Sequence, residues 1–147
     1  MKRRKSFAAL VIAVALASAS LTLSVRALYG QTPGFTRVPL QKHDLSTAGR
    51  EAVQARGELA AGAASPRHTH PGEELAYILE GQITLEVEGK PPATLKAGDV
   101  FFVPPETAHI AKNLGTAPAK ILSTYFVEKG KPLATPVPAP TAAAAKK

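Results

Sequence analysis

"PRHTHPGEELAYILEG", Pro66 to Gly81, spends two of the chain's four histidines one residue apart and follows them with a pair of carboxylates. On an extended strand, residues i and i+2 project to the same face, so His68 and His70 point the same way from backbone positions ~7 Å apart. Two imidazoles on one face can converge on one ion. Pro71-Gly72 then turns the chain, and Glu73-Glu74 begins another apolar stretch. Only one of Glu73 and Glu74 can face the histidines, and spacing alone leaves both open. The competing reading is a polar loop that is merely histidine-rich.

The surrounding segments favour strands. "ITLEVEG", Ile83 to Gly89, alternates apolar and polar residues, with Ile83, Leu85 and Val87 on one face and Thr84, Glu86 and Glu88 on the other. "ELAYILEG" rises to Gly81, and Gly81-Gln82 predicts a hairpin into "ITLEV". "DVFFVPP" reads as a buried strand stopped by Pro104-Pro105, because proline cannot donate to a ladder. "AKILSTYFVEK" has a β-branched and aromatic middle, and "GELAAG" and "ATLKAG" are shorter strands. "TAGREAVQARGEL" is the one stretch that could be helical, although Gly49, Gly57 and Val53 weaken it. Short strands at regular spacing predict an all-β sandwich or small barrel. Solvated sheet faces account for runs such as "LEVEGK".

The third histidine of interest, His109, follows the Pro-Pro turn in "GDVFFVPPETAHIAKN" and opens a strand from which it could close the site. His43 lies in polar "QKHDL" and reads as exposed. The chain has no cysteine, so disulfides and thiolate ligands are excluded and a metal would have to use imidazole and carboxylate.

The ends of the chain are different in kind. "MKRRKS" followed by uncharged "FAALVIAVALASASLTLSV" and by small residues at Ala17-Ser18-Ala19 or Val25-Arg26-Ala27 has the layout of an export signal over residues 1–27. The rival reading is an uncleaved anchor in the cytoplasmic membrane. Either places the domain outside the cytoplasm. Residues 28–37 read as a linker, 38–131 as the barrel, and Pro/Ala-rich 132–147 as a mobile tail. The chain carries 18 Lys+Arg against 11 Asp+Glu, but five of the basic residues precede Leu28, leaving 13 against 11. No basic face remains to argue for nucleic acid. Nucleotide-binding loops and a serine-hydrolase elbow are absent from the sequence.

Two spaced motifs then carry a resemblance. Gly62, His68-x-His70, Glu74 and Gly81 resemble the first cupin motif in identity and spacing, and Gly98, Pro104, His109 and Asn113 resemble the second. The wider chain is similar to small single-domain cupins of the quercetin-dioxygenase-like type. The resemblance implies one jelly-roll barrel, with His68, His70, Glu74 and His109 as metal ligands, and so picks Glu74 over Glu73. It implies turn roles for Gly62, Gly81 and Gly98 and scaffold roles for Pro104 and Asn113. One departure stands out: Glu106 occupies a position where the second motif usually has glycine, which predicts a different turn there.

A His3Glu set suits a divalent ion, and a six-coordinate one would keep positions open for substrate, favouring iron, manganese or nickel over zinc. The expected activity is that of a dioxygenase-like enzyme on small phenolic or enol-like compounds, with Glu74 as ligand or base. A metal-dependent isomerase or lyase and a non-catalytic ligand- or metal-binding module are the alternatives. Tyr77 and Tyr125 are candidates to line the pocket. So small a barrel buries a modest core, and a homodimer through an outer sheet face is expected.

Overall fold

The computed structural model describes residues 32–138, so the export segment and the end of the tail lie outside the described residues. Ten strands run in chain order: β1 (Phe35–Asp44), β2 (Arg50–Leu59), β3 (His68–Thr69), β4 (Gly72–Glu80), β5 (Gln82–Val87), β6 (Ala93–Lys96), β7 (Val100–Val103), β8 (His109–Lys112), β9 (Ala119–Glu128) and β10 (Thr135–Pro136). They form two five-stranded antiparallel sheets, ordered β1-β2-β9-β4-β7 and β10-β3-β8-β5-β6. This is the all-β jelly-roll arrangement that the motifs implied.

Alternation places the core between the sheets. In β4, Glu74, Ala76 and Ile78 are buried while Leu75, Tyr77 and Leu79 face out. In β9, Ala119, Ile121, Ser123, Tyr125 and Val127 point inward. In β5, Ile83, Leu85 and Val87 do the same, as the period-2 pattern predicts. Phe35, Leu59, Ile78, Ile83, Leu85 and Ile121 belong to the main apolar cluster. A second cluster of Ala55, Tyr125 and Val127, with Val53 and Leu133 against it, lies elsewhere in the barrel.

Several local expectations are overturned. "REAVQARGEL" is not helical: β2 pairs along its whole length with β9 and almost as fully with β1. Two-sided pairing decides against the weak helical propensity of the stretch. Gly81-Gln82 does not close a hairpin, since β4 and β5 belong to different sheets. Gly81, at φ 72°, turns the chain from one sheet to the other, and a Cβ there would stand 2.5 Å from the Pro118 carbonyl oxygen. Strand β7 is buried on one face only, through Phe101 and Val103. It is the edge of its sheet, with Val100 68% and Phe102 49% exposed. The first strand starts at Phe35, inside the expected linker, and β10 lies inside the expected tail.

Gly62, Gly81 and Gly98 all have positive φ, in keeping with turn roles. Asn113 is buried and donates from Nδ2 to the carbonyls of Leu59, Ala60 and Ala117, while its Oδ1 accepts from Gly115 N–H, so it pins loops together. Glu106 corrects the remaining expectation. Its φ of 53° is the left-handed conformation that a glycine would adopt, so the turn is kept despite the departure. Its N–H donates to the His70 carbonyl at 2.9 Å, which ties this turn to the histidine pair. Because a side chain in this region costs about 1–2 kcal/mol and glycine gives back part of that as unfolded-chain entropy, Glu106→Gly is expected to raise unfolding free energy by ~0.5–1 kcal/mol. Urea denaturation checks it; a loss of stability would mean that the glutamate side chain, not the backbone, holds the turn.

Candidate metal centre

Three strands and one corner bring the site together. His68 in β3 lies directly opposite His109 in β8, so both rings leave the same sheet side by side. His70 follows β3 and shares the face of His68, as its i+2 position requires. The chain then crosses to the other sheet through Pro71 and Gly72. A Cβ on Gly72 would stand 2.0 Å from the Phe126 carbonyl oxygen, so only glycine fits where β4 comes in against β9. Two residues later, Glu74 points back at the histidines from the opposite sheet. Glu73 faces outward and is bonded to Arg50 at 2.5 Å. His43 is exposed, in agreement with the sequence reading.

His68, His70, Glu74 and His109 are each 5% exposed or less. Nε2 of His68 is 3.1 Å from Nε2 of His70, and Glu74 Oε2 is 3.3 Å from His70 Nε2 and 3.1 Å from His109 Nε2. The other nitrogen of every ring is committed: Nδ1 of His68 donates to Pro66 O at 2.7 Å, that of His70 to Leu133 O at 2.5 Å, and that of His109 to Thr107 O at 3.0 Å. With the proton held on Nδ1, each Nε2 presents a lone pair toward the common centre. Glu74 Oε2, although so close to two imidazoles, has no hydrogen bond of acceptable geometry. Lone pairs turned on one another in a dry interior repel, and a cation between them removes that repulsion.

The spacing fits a divalent metal. Donor atoms bound at ~2.2 Å and at right angles to each other stand ~3.1 Å apart, whereas a tetrahedral set bound at ~2.1 Å spreads to ~3.4 Å. Charge states agree. Burial, with His109, His70 and the Arg37 cation adding to it, pushes the His68 pKa down to about 3, so the ring is neutral and able to ligate at neutral pH. Burial alone would raise the Glu74 pKa, but the imidazoles of His109 and His70 outweigh it and hold the carboxyl well below its usual range. The group is an ionised carboxylate.

Two contributors escaped the sequence reading. Arg37, assigned to a linker, is buried in β1 with Nη2 3.2 Å from His68 Nε2. Its guanidinium lies 5.5 Å from the Phe35 ring and 6.0 Å from that of Tyr125. The inward alternation of Phe35 and Arg37 was the signal available. Leu133, assigned to the tail, orients His70 through its carbonyl, and β10 pairs with the histidine strand through Thr135↔Thr69 and Pro136↔His68. Nothing in the Pro/Ala composition points to that. Of the tyrosines, Tyr125 packs 4.6 Å from the His70 ring, and burial keeps its phenol protonated, whereas Tyr77 is on the outer face.

The cavity bounded by Arg37, His68, Glu74, His109 and Tyr125 measures about 30 Å³, room for one or two water-sized groups. A larger concavity of about 540 Å³ lies away from the centre, on the outer face of β4 and β7.

The C-terminal strand generates a test. Since groups that orient ligands typically change metal affinity by ~10–100-fold, a chain ending at Lys131 is expected to bind Mn²⁺ about that much more weakly than one ending at Pro138. Competition with a fluorescent chelator measures it, and circular dichroism shows whether the barrel persists. Equal affinities would mean that the Leu133 carbonyl and β10 do not matter to the centre.

Residues 55–125 match the family described as Cupin domain. Germin-like protein subfamily 2 member 2 of Arabidopsis thaliana is 41% identical over 78 residues, covering 48% of this chain and 35% of that protein. The chain thus spans about a third of the length of this relative. The dimethylsulfoniopropionate lyase DddQ of Ruegeria pomeroyi is 40% identical over 52 residues, covering 35% of this chain and 26% of the lyase. The DddQ crystal structure superposes with a TM-score of 0.52 at 29% identity, over 58% of this chain and 42% of that one. An oxalate oxidase in complex with the substrate analogue glycolate shares the fold, with a TM-score of 0.59 at 23% identity over 74% of this chain and 58% of that one. Fold, paired motifs and domain match agree, and residues 55–125 carry a cupin domain.

Proposed function

We propose that this protein is an exported, metal-dependent enzyme of dioxygenase-like type, acting on a small molecule at a His3Glu centre made by His68, His70, Glu74 and His109. The observation that carries this reading is the convergence of three imidazole Nε2 atoms and one carboxylate oxygen within 3.1–3.3 Å contacts. Iron, manganese or nickel suits that donor set and spacing better than zinc. Such an ion would supply Lewis acidity and, where redox-active, electron transfer to dioxygen.

The chain's own residues set the rest. His68, His70 and His109 hold the ion as neutral rings whose outer nitrogens are locked by backbone carbonyls. Glu74 balances part of its charge as a ligand and, on swinging off the ion, is the carboxylate that can take a proton from substrate. Tyr125, kept protonated, walls the site and does not act as a base. The small cavity excludes bulk water and limits substrate to a few heavy atoms. The likeness to DddQ supports a second reading, a metal-dependent lyase that consumes no oxygen. Export rests on the basic and apolar layout of residues 1–27.

The protein is also proposed to be a homodimer. Leu75, Tyr77, Val100 and Phe102 make a contiguous exposed apolar face at the edge strand β7, with no charged residue among those lining its groove. A second copy of the same face satisfies such a surface and can continue the ladder from β7. Light scattering is expected to give twice the chain mass for the wild type and the single-chain mass for Phe102→Asp; a monomeric wild type would refute the dimer.

Elemental analysis of protein from its native compartment is expected to find about one equivalent of iron, manganese or nickel. His68→Ala and His109→Ala should both lose it. Oxygen uptake across a panel of small-molecule substrates then separates the readings: uptake supports the oxygenase, and substrate turnover without uptake supports the lyase. Zinc or no metal in the wild type would leave a binding module as the better description.

A further inference from the structure

Gly57 is the one inward-facing position of β2 that carries no side chain. Ala55 and Leu59 on either side of it are buried in the core, and Gly57 lines the small cavity that His68, Glu74 and His109 also bound. Glycine weakens a strand interior, and a bulge, a left-handed backbone or a close approach by other atoms ordinarily accounts for it. None of these applies here. The pairing of β2 runs unbroken through this point, with Gly57 opposite Ile121 in β9 and opposite Arg37 in β1. Its φ is not positive. A Cβ would meet Phe35 Cε2 at 3.7 Å, Ile121 Cβ at 3.8 Å and the Ile121 carbonyl oxygen at 4.0 Å, all ordinary van der Waals contacts. Every other glycine among the described residues has a positive φ or a neighbour within 3.3 Å of the added carbon. The fold therefore accepts alanine at 57 and gains from it, since alanine restricts the unfolded chain. What alanine would take away is space in the cavity.

That space has a particular character. The side chains nearest the absent Cβ, Phe35 and Ile121, both belong to the main apolar cluster. The hydroxyls on the cavity wall are already bonded within the protein: Ser65 Oγ donates to the Pro66 carbonyl and accepts from Ala111 N–H, and Ser123 bonds Tyr125. An occupant beside Gly57 finds apolar contact in place of hydrogen bonds, which disfavours water and polar substrate groups. The whole cavity is about 30 Å³, so one methyl group is a large part of what it can hold. A small apolar diatomic satisfies both limits, and dioxygen is the co-substrate that an oxygenase brings to its ion.

We propose that Gly57 is the size-determining residue of this site: by carrying no side chain it keeps open an apolar chamber that takes dioxygen beside the proposed ion. This rests on the oxygenase reading of the metal centre and adds the residue that sets how large a molecule can lie there. Its role is selection by size, not chemistry.

The test loads the full chain with Fe²⁺ under anaerobic conditions and titrates it with nitric oxide, a diatomic of dioxygen size whose iron nitrosyl is read by its spectrum. Wild type is expected to bind it. Gly57→Ala should bind it at least about tenfold more weakly, the scale on which one carbon discriminates in an apolar pocket, with iron content unchanged. The same variant should unfold ~2–8 °C higher, because alanine replaces a strand glycine without strain. Adding Phe35→Leu, which removes the atom closest to the new methyl group, should restore part of the NO affinity. Stability gained together with binding lost is a pairing that a merely structural glycine does not give. Iron-loaded wild type that binds no NO, or equal NO affinity in wild type and Gly57→Ala, would overturn the proposal. So would a Tm below that of the wild type, which would make the glycine a requirement of packing. A loss that Phe35→Leu leaves unrestored would place its cause outside the cavity and overturn the proposal too. A wild type that takes up no Fe²⁺, or takes up as much with His68→Ala, would instead overturn the metal-centre reading, so the two failures are distinguishable.

Discussion

Four electron-pair donors aimed at one point in a dry interior are unfavourable unless a cation sits among them. This structure builds that arrangement on purpose, from both sheets at once. His68 and His109 come from paired strands of one sheet, and Glu74 comes from β4 of the other. The two layers of the sandwich therefore meet at the centre as well as through their apolar contacts. In the proposed metal centre, ion binding and the closeness of the sheets would be one property, because the donor atoms come from both layers.

The supporting structure acts mainly through backbone. Each imidazole is held by a carbonyl, from Pro66, Leu133 or Thr107, so its proton position follows from the path of the chain. The corners beside the histidines tolerate little change. Gly72 has room for no side chain against Phe126, and Glu106 accepts a left-handed conformation to bond the His70 carbonyl. The turn therefore survives a change of residue type that costs energy, because the bond it makes sits next to a ligand.

The interior on the other side of the ligands is unusually charged for its size. Arg37, Glu74, His68 and His109 share it with Tyr125. Burial keeps His68 neutral and Tyr125 protonated, and the side chains of His109 and His70 keep Glu74 ionised against it. Those are the states in which His68 and Glu74 can ligate and Tyr125 cannot compete. The apolar clusters around them keep water out, and low solvent access is what gives each of these charges its strength.

Local spacing carried a great deal of this. The shared face of His68 and His70 was legible because strand alternation acts over two residues, whereas the choice of Glu74 over Glu73, the role of His109 and the turn glycines followed from the resemblance to the two cupin motifs. The strand nature of β4, β5 and β9 was legible through the same alternation. Pairing was not. Whether Gly81 closes a hairpin or turns a corner, whether β7 is central or an edge, and whether "REAVQARGEL" is helix or strand depend on which segments lie alongside, and that is set by distant parts of the chain. Arg37 and Leu133 show it most directly. Their sequence surroundings read as linker and tail, and only the tertiary structure brings one guanidinium and one carbonyl to the histidines from 31 and 63 residues away. The sequence by itself determined the ligand types and their local spacing, since those are written in short-range periodicity; the second layer of the site was decided by tertiary structure, because hydrogen bonds to backbone and long-range burial leave no mark in local composition.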